Sequence, residues 1–156
     1  MPPDNRQLDR VALDRELVNR GGLRKFMEMA WGIIEPVKLI PNWHIDIISE
    51  VLQAAFDREI RKFIINIPPG CSKSRMVSTL YPAWCWAMDP SECFLYASFD
   101  QGLSDRDARD MRQIVASPWF QSRWPEAKLP PGAVRQVRLF SNARGVFSSC
   151  HALTVR

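Results

Sequence analysis

The stretch FIINIPPGCSKSRMVSTL, residues 63–80, joins an apolar run to a Pro-Pro-Gly turn and then to a Lys-Ser pair. The apolar run, residues 63–67, is typical of a strand that is buried on both faces of a parallel sheet. The turn leads into a helix that we predict over residues 73–88, with a bend at Pro82. A strand, a loop of small residues and a helix N-terminus follow one another in this order in phosphate-binding loops.

The chemistry of such a loop depends on a few residues. Backbone N–H groups around Gly70 and Ser72 would converge on the phosphates. The Lys73 ammonium would reach the β- and γ-phosphates, and the Ser74 hydroxyl would hold Mg²⁺. In the usual pattern, G-x-x-x-x-G-K-[ST], glycine stands where this chain has Ile67 and Ser72, and Ser72 costs free energy if its φ is positive. The alternative is that Lys73 and Ser74 merely begin a helix.

Helical periodicity precedes the loop. Asn5 can cap a first helix, which Gly21 and Gly22 end, and a second helix follows as far as Pro36. A third helix, WHIDIISEVLQAAF, begins after Asn42, because its apolar residues recur at helical spacing.

A second apolar run, CFLYASF at residues 93–99, follows the loop and predicts another buried strand. Ser104 and Asp107 then resemble a capping box at the start of a helix, and a short hairpin is expected around residues 143–144. Strand, loop, helix and strand make a βαβ unit. The predicted fold class is therefore α/β: an incomplete P-loop NTPase, with a mostly parallel sheet and flanking helices, preceded by N-terminal helices.

The composition is that of a folded domain. The chain has 156 residues, of which 46% are hydrophobic and 24% charged, a balance that argues against disorder throughout. A net charge of +4 permits contact with nucleic acid without demonstrating it. The cysteines show no C-x-x-C spacing, which argues against a zinc finger. No stretch suits a signal peptide or a membrane span, which favours free thiols in a reducing cytoplasm.

Several stretches together resemble the N-terminal ATPase region of phage terminase large subunits. They are LRKFMEMAWGIIEP, WHIDIISEVLQAAFDREIRKFIINIPPGCSKS, YPAW and ASPWFQSRWPEAKL. The resemblance extends in collinear order from Leu23 to about Gly145. It implies an ATP-driven motor that packages double-stranded DNA into a capsid in the cytoplasm of a bacterial host. Its expected partners are the portal protein, the small terminase subunit and further copies of the same chain.

The resemblance also implies a domain organisation and a set of site residues. Residues 1–40 would be an N-terminal helical segment, and residues 41–156 a partial terminase-type P-loop ATPase domain. Lys73 would bind the β- and γ-phosphates, and Ser74 the Mg²⁺. The residues expected around ATP are Pro69, Gly70, Cys71, Ser72, Lys73, Ser74 and, on the adenine side, Trp43 and His44. An alternative for Trp43 is a core aromatic that staples the start of the helix.

The chain also departs from the family. Many relatives carry Arg at the position of Gly70, so Arg75 or a neighbouring subunit would have to supply that charge. The family's Walker B acid follows four apolar residues, and no such stretch occurs after Cys150. Asp100 is a substitute candidate for the acid. The nuclease acids are missing too. The expectation is an N-terminal fragment that binds ATP and Mg²⁺ weakly with little hydrolysis.

Two alternatives remain open. One is a small self-contained P-loop nucleotide or metabolite kinase that uses Asp100 as its acid. The other is a non-catalytic remnant that acts only as an interaction module. A sheet without its later strands would leave an apolar edge uncovered, and such an edge favours association.

Overall fold

The computed structural model of the chain describes residues 5–96, 100–127 and 149–152. Most of these residues are helical. The helices are α1, Asn5–Ile34; α2, Trp43–Phe56; a π-helical segment, Arg75–Leu80; α3, Tyr81–Met88; α4, Gln101–Ala116; and α5, Pro118–Arg123. Two strands, β1 (Cys93–Tyr96) and β2 (Ser149–Ala152), pair antiparallel, with Cys93 opposite Ala152.

Helix α1 is broken at Gly22, as the Gly-Gly pair predicts. The backbone of Gly22 has φ 58° and ψ −152°, which lies outside the helical region. A side chain at this position would overlap the amide of Gln53 on α2. The Oε1 atom of Gln53 accepts a hydrogen bond from the N–H of Leu23, at 3.3 Å. The break therefore lets α2 cap the second half of α1.

The core is formed by apolar faces of the helices. After Gly22, the buried residues of α1 recur at the spacing of an amphipathic helix: Leu23, Phe26, Met27, Ala30 and Trp31. The other elements contribute Ile45, Ile48, Leu52, Met76, Leu80, Ala83, Trp84, Cys85, Trp86, Met111, Ile114, Val115, Phe120, Trp124 and Ala127.

An aromatic cluster joins α1 to α5. The ring of Phe26 lies 5.7 Å from the rings of Trp119 and Trp124 and 6.3 Å from that of Phe120. Ser117 caps α5, because its hydroxyl accepts a hydrogen bond from the N–H of Phe120, at 3.1 Å. Trp124 therefore belongs to the core, and the partly buried Trp119 packs against it.

The predicted α/β fold with a mostly parallel sheet is wrong. The described residues are predominantly helical, and their one strand pair, β1 with β2, is antiparallel. Residues 63–67 form no strand in the described part of the chain. Ile65 and Ile67 pack against the helical core, whereas Ile64 is 87% exposed. The run therefore buries one face only, and it has no strand partner among the described residues.

Two further predictions concern the second apolar run and the hairpin. Residues 93–96 of that run are the strand β1, and residues 97–99 lie outside the described residues. The predicted turn at residues 143–144 also lies outside them. The helix predicted to start with a capping box at Ser104 in fact begins at Gln101, so that prediction is wrong.

The boundary predicted at residue 40 stays a prediction. Residues from both sides of it, such as Phe26 and Leu52, belong to the same hydrophobic cluster. Within the described residues, no helix combines the length and the apolar character needed to cross a lipid bilayer.

Candidate functional site

The Pro-Pro-Gly loop contains two residues with left-handed backbone. Gly70 has φ 87° and Ser72 has φ 57°. A Cβ at Gly70 would meet no atom within 4 Å, so the backbone angle, not lack of space, favours glycine there. The energetic cost foreseen for Ser72 is present, since serine rarely adopts a positive φ. Turns of this kind can direct successive N–H groups toward an anion.

The loop leads directly into a helix. The N–H of Met76 donates to the carbonyl of Ser72, at 3.0 Å. The N–H groups of Lys73, Ser74 and Arg75 therefore precede the hydrogen-bond ladder, as at every helix N-terminus. Such donors, with the positive end of the helix dipole, favour a negative charge nearby. The side chains of Lys73 and Ser74 are exposed, and so is that of Pro69 in the preceding turn.

A cleft of about 400 Å³ lies between this loop and the connector that joins α1 to α2. The loop contributes Gly70, Cys71 and Ser72, and α2 contributes His44. The remaining lining residues come from the end of α1, the connector and the start of α2: Trp31, Glu35, Val37, Lys38, Leu39, Ile40, Asn42 and Ile45. This volume is within the range of small-molecule sites.

The connector is held in place by Trp31. This residue is 9% exposed, and its indole N–H donates to the carbonyl of Val37, at 2.8 Å. At the other end of the connector, the N–H of Ile45 donates to the carbonyl of Asn42, at 2.9 Å, and α2 begins. The wall opposite the loop is therefore attached to the core at both ends.

The structure brings His44, but not Trp43, to the cleft. Trp43 is 71% exposed, and its ring lies 6.1 Å from that of His44 and nearly perpendicular to it. The alternative in which Trp43 is a core aromatic is therefore wrong. An exposed indole beside a cleft remains available for stacking on a planar group.

Arg75 is engaged in an ion-pair network. Its Nε atom lies 2.7 Å from Oε1 of Glu35, and its NH1 atom pairs with Asp110 on α4. Burial lowers the pKa of the Arg75 guanidinium, but Asp110 and Glu35 outweigh this effect, and the pKa is raised above its ordinary value. The guanidinium thus links Glu35, the residue that follows α1, to α4, instead of extending freely toward a phosphate.

Asp100 is the N-cap of α4. Its Oδ1 atom accepts a hydrogen bond from the N–H of Leu103, at 3.0 Å. Asp100 is exposed and does not belong to the described residues that line the cleft. Its position gives a structural reason for an aspartate after the second apolar run.

Sequence reasoning missed two charged residues of the cleft, Glu35 and Lys38. The available signal was the connector PVKLIP, in which Lys38 is the one charged residue between Pro36 and Pro41. Glu35 gave no such signal, because acidic residues near a helix end are common on solvated surfaces.

Among the residues that the structure describes, no group of three or more His, Cys, Asp or Glu side chains could hold a metal ion. Cys71, Cys85 and Cys93 are free thiols. A Mg²⁺ ion at the exposed Ser74 would thus need most of its oxygen ligands from phosphates and water.

Comparison of the chain with protein-family models, with curated proteins and with solved structures finds no match.

Proposed function

We propose that the chain binds ATP with Mg²⁺ in the cleft between the connector and the Pro-Pro-Gly loop. One observation carries the proposal. The loop that the sequence predicts for phosphates lines the same cleft as His44, which the family resemblance assigns to the adenine side. Their meeting in one cavity supports a common ligand.

Each residue has a role that follows from its chemistry. The N–H groups of Gly70, Cys71 and Ser72 would donate to phosphate oxygens. The ammonium of Lys73 would contact the β- and γ-phosphates, and the hydroxyl of Ser74 would be a ligand of Mg²⁺. His44 would lie toward the base. When bound, Mg²⁺ would neutralise part of the phosphate charge.

The same cleft gives little support for hydrolysis. A general base must be a free acceptor within reach of the attacking water. Glu35 is the one carboxylate among the described residues of the cleft wall, and it is paired with Arg75. Asp100 caps α4 instead. We therefore expect binding with little turnover.

The biological context of the proposal is DNA packaging. The support for it is the resemblance of four collinear stretches to phage terminase large subunits. On this proposal the chain is an N-terminal part of the motor, acting in the cytoplasm of a bacterial host. Double-stranded DNA, the portal protein, the small terminase subunit and further copies of the chain would be its partners.

Calorimetric titration with ATP and Mg²⁺ tests the proposal. The Lys73→Ala variant should bind ATP about tenfold or more weakly than the wild type, because a charge-assisted contact to phosphate is lost. Lys62→Ala is the matched control, since Lys62 is exposed and lies outside the described lining of the cleft. It should bind like the wild type.

Released phosphate, assayed in the same samples, separates the alternatives. Binding without phosphate release is the expected result. Turnover that disappears in Asp100→Asn would support the kinase alternative instead. If the wild type fails to bind ATP at millimolar concentration, the proposed nucleotide site does not exist and the interaction-module alternative gains weight.

A further inference from the structure

The wall of the cleft contains an unfavourable charge for an anionic ligand. Glu35 lines the cleft at the end of α1, and Lys38 is the one Lys or Arg among the described lining residues. A bare carboxylate this close to a polyphosphate would repel it, since like charges a few ångströms apart disfavour binding. The structure must therefore neutralise Glu35 if the cleft is to hold phosphates.

Arg75 provides that neutralisation. Its Nε atom is 2.7 Å from Glu35, and the side chains of the two residues are 20% and 28% exposed. Because both side chains are largely removed from water, the interaction is less screened than a surface ion pair. Arg75 follows the phosphate loop directly, and Asp110 holds the guanidinium from the side of α4.

We infer that Arg75 is a positioning residue for polyphosphate binding, which acts by holding Glu35 in an ion pair and cancelling its charge on the cleft wall. This inference rests on the proposed function. On this inference, Arg75 supports ligand binding through Glu35 and does not itself contact the ligand. The specificity of the cleft for a polyphosphate then depends on a residue outside the described lining.

The test is a set of charge variants, titrated by calorimetry with ATP–Mg²⁺ and with inorganic tripolyphosphate. Arg75→Met should weaken the binding of both probes by about tenfold or more, because Glu35 is left uncompensated. The loss should shrink at high ionic strength, where charges are screened. Adding Glu35→Gln to Arg75→Met should restore most of the affinity, although it does not restore the link between the helices.

Asp110→Asn is the matched control. This variant removes the second carboxylate that pairs with Arg75, and with it a similar part of the link between the helices. It leaves the ion pair between Arg75 and Glu35 in place. Its affinity for both probes should equal or exceed that of the wild type. If Arg75 acted only by keeping the loop folded, Asp110→Asn would weaken binding as well, and Glu35→Gln would not rescue Arg75→Met.

The single variant Glu35→Gln gives a second test that does not require Arg75→Met to fold. It should bind both probes at least as tightly as the wild type, and weaker binding would overturn the inference. If the wild type and Arg75→Met bind the two probes equally well, the inference about Arg75 is wrong, but the proposed nucleotide site still stands. A wild type that binds neither probe removes the proposed function and the inference together.

Discussion

At the scale of single residues, Gly22 decides how the first two helices meet. Its φ of 58° suits glycine, and any side chain would displace the Gln53 amide from its hydrogen bond with the N–H of Leu23. Gly32 lies in the same helix, and a Cβ there would meet no atom within 4 Å. A methyl group would therefore clash at Gly22, whereas there is space for one at Gly32.

Substitution of each glycine by alanine tests this difference. Gly22→Ala should lower the free energy of unfolding by about 1–3 kcal/mol, from backbone strain and the loss of the Gln53 cap. Gly32→Ala should raise it by about 0.5–1 kcal/mol, since alanine is the better helix former. Urea denaturation measures both, and equal stability of the two variants would contradict the assignment.

At the scale of elements, Pro82 and Tyr96 together determine which group donates a hydrogen bond to the carbonyl of Val77. The N–H of Tyr81 donates to the carbonyl of Met76, five residues earlier, which is the π-helical register. In that register the next donor, to Val77, would be residue 82, and proline has no N–H. The hydroxyl of Tyr96 on β1 donates to the Val77 carbonyl instead, at 3.1 Å.

A double-mutant cycle tests whether the Tyr96 hydroxyl replaces the N–H that Pro82 lacks. Tyr96→Phe should lower the free energy of unfolding by about 1–3 kcal/mol, because the carbonyl of Val77 loses its donor. The loss should be smaller in the Pro82→Ala background, where the new N–H can bind the same carbonyl. Urea denaturation of the four proteins gives the coupling, and an equal loss in both backgrounds would show that the two residues act independently.

At the scale of the whole molecule, three weak acids lie close to the helical core and β1: Cys85 is buried, and Tyr81 and Tyr96 are partly buried. Burial is the main cause that raises the pKa of Tyr81, Cys85 and Tyr96. A neutral group with a raised pKa stabilises the folded state fully below its unfolded pKa, and this contribution is lost as the pH rises. The ordinary values are 9.0 for the thiol and 10.0 for the phenols.

The free energy of unfolding should therefore decrease at alkaline pH. Between its unfolded and its folded pKa, each of the three groups should remove at most about 1.4 kcal/mol per pH unit, and the partly exposed tyrosines less than Cys85. Cys85→Ala should show a shallower decrease than the wild type, even though the cavity lowers its stability at neutral pH. Urea denaturation at about pH 8 and about pH 10.5 gives the slopes, and parallel slopes would argue against a buried protonated thiol.

The helices were largely predictable from the sequence. Gly22 breaks α1, α2 begins after Asn42, and residues 73–88 are helical. These features depend on local signals, namely glycine pairs, capping positions and the spacing of apolar residues. The start of α4 was missed because Asp100, four residues before the expected Ser104, has a side chain equally suited to capping.

The candidate site was predictable in part. The loop residues Gly70 and Ser72 could be found, because a phosphate loop has a recognisable order of residue types. The pairing of Arg75 with Glu35 and Asp110 could not be found, since it joins three elements that are far apart in the chain. No local pattern specifies such a contact.

By itself, the sequence determined most of the helical segments, where glycine is needed and which loop has the composition for phosphates. These properties follow from interactions between residues a few positions apart. Only the tertiary structure decided that residues 63–67 lie on a helical core without a strand partner among the described residues, and that β1 pairs antiparallel with β2. It also decided that His44 and the loop share a cleft. The physical reason is that burial and strand pairing depend on neighbours supplied by distant parts of the chain, so an apolar run alone does not specify its partners.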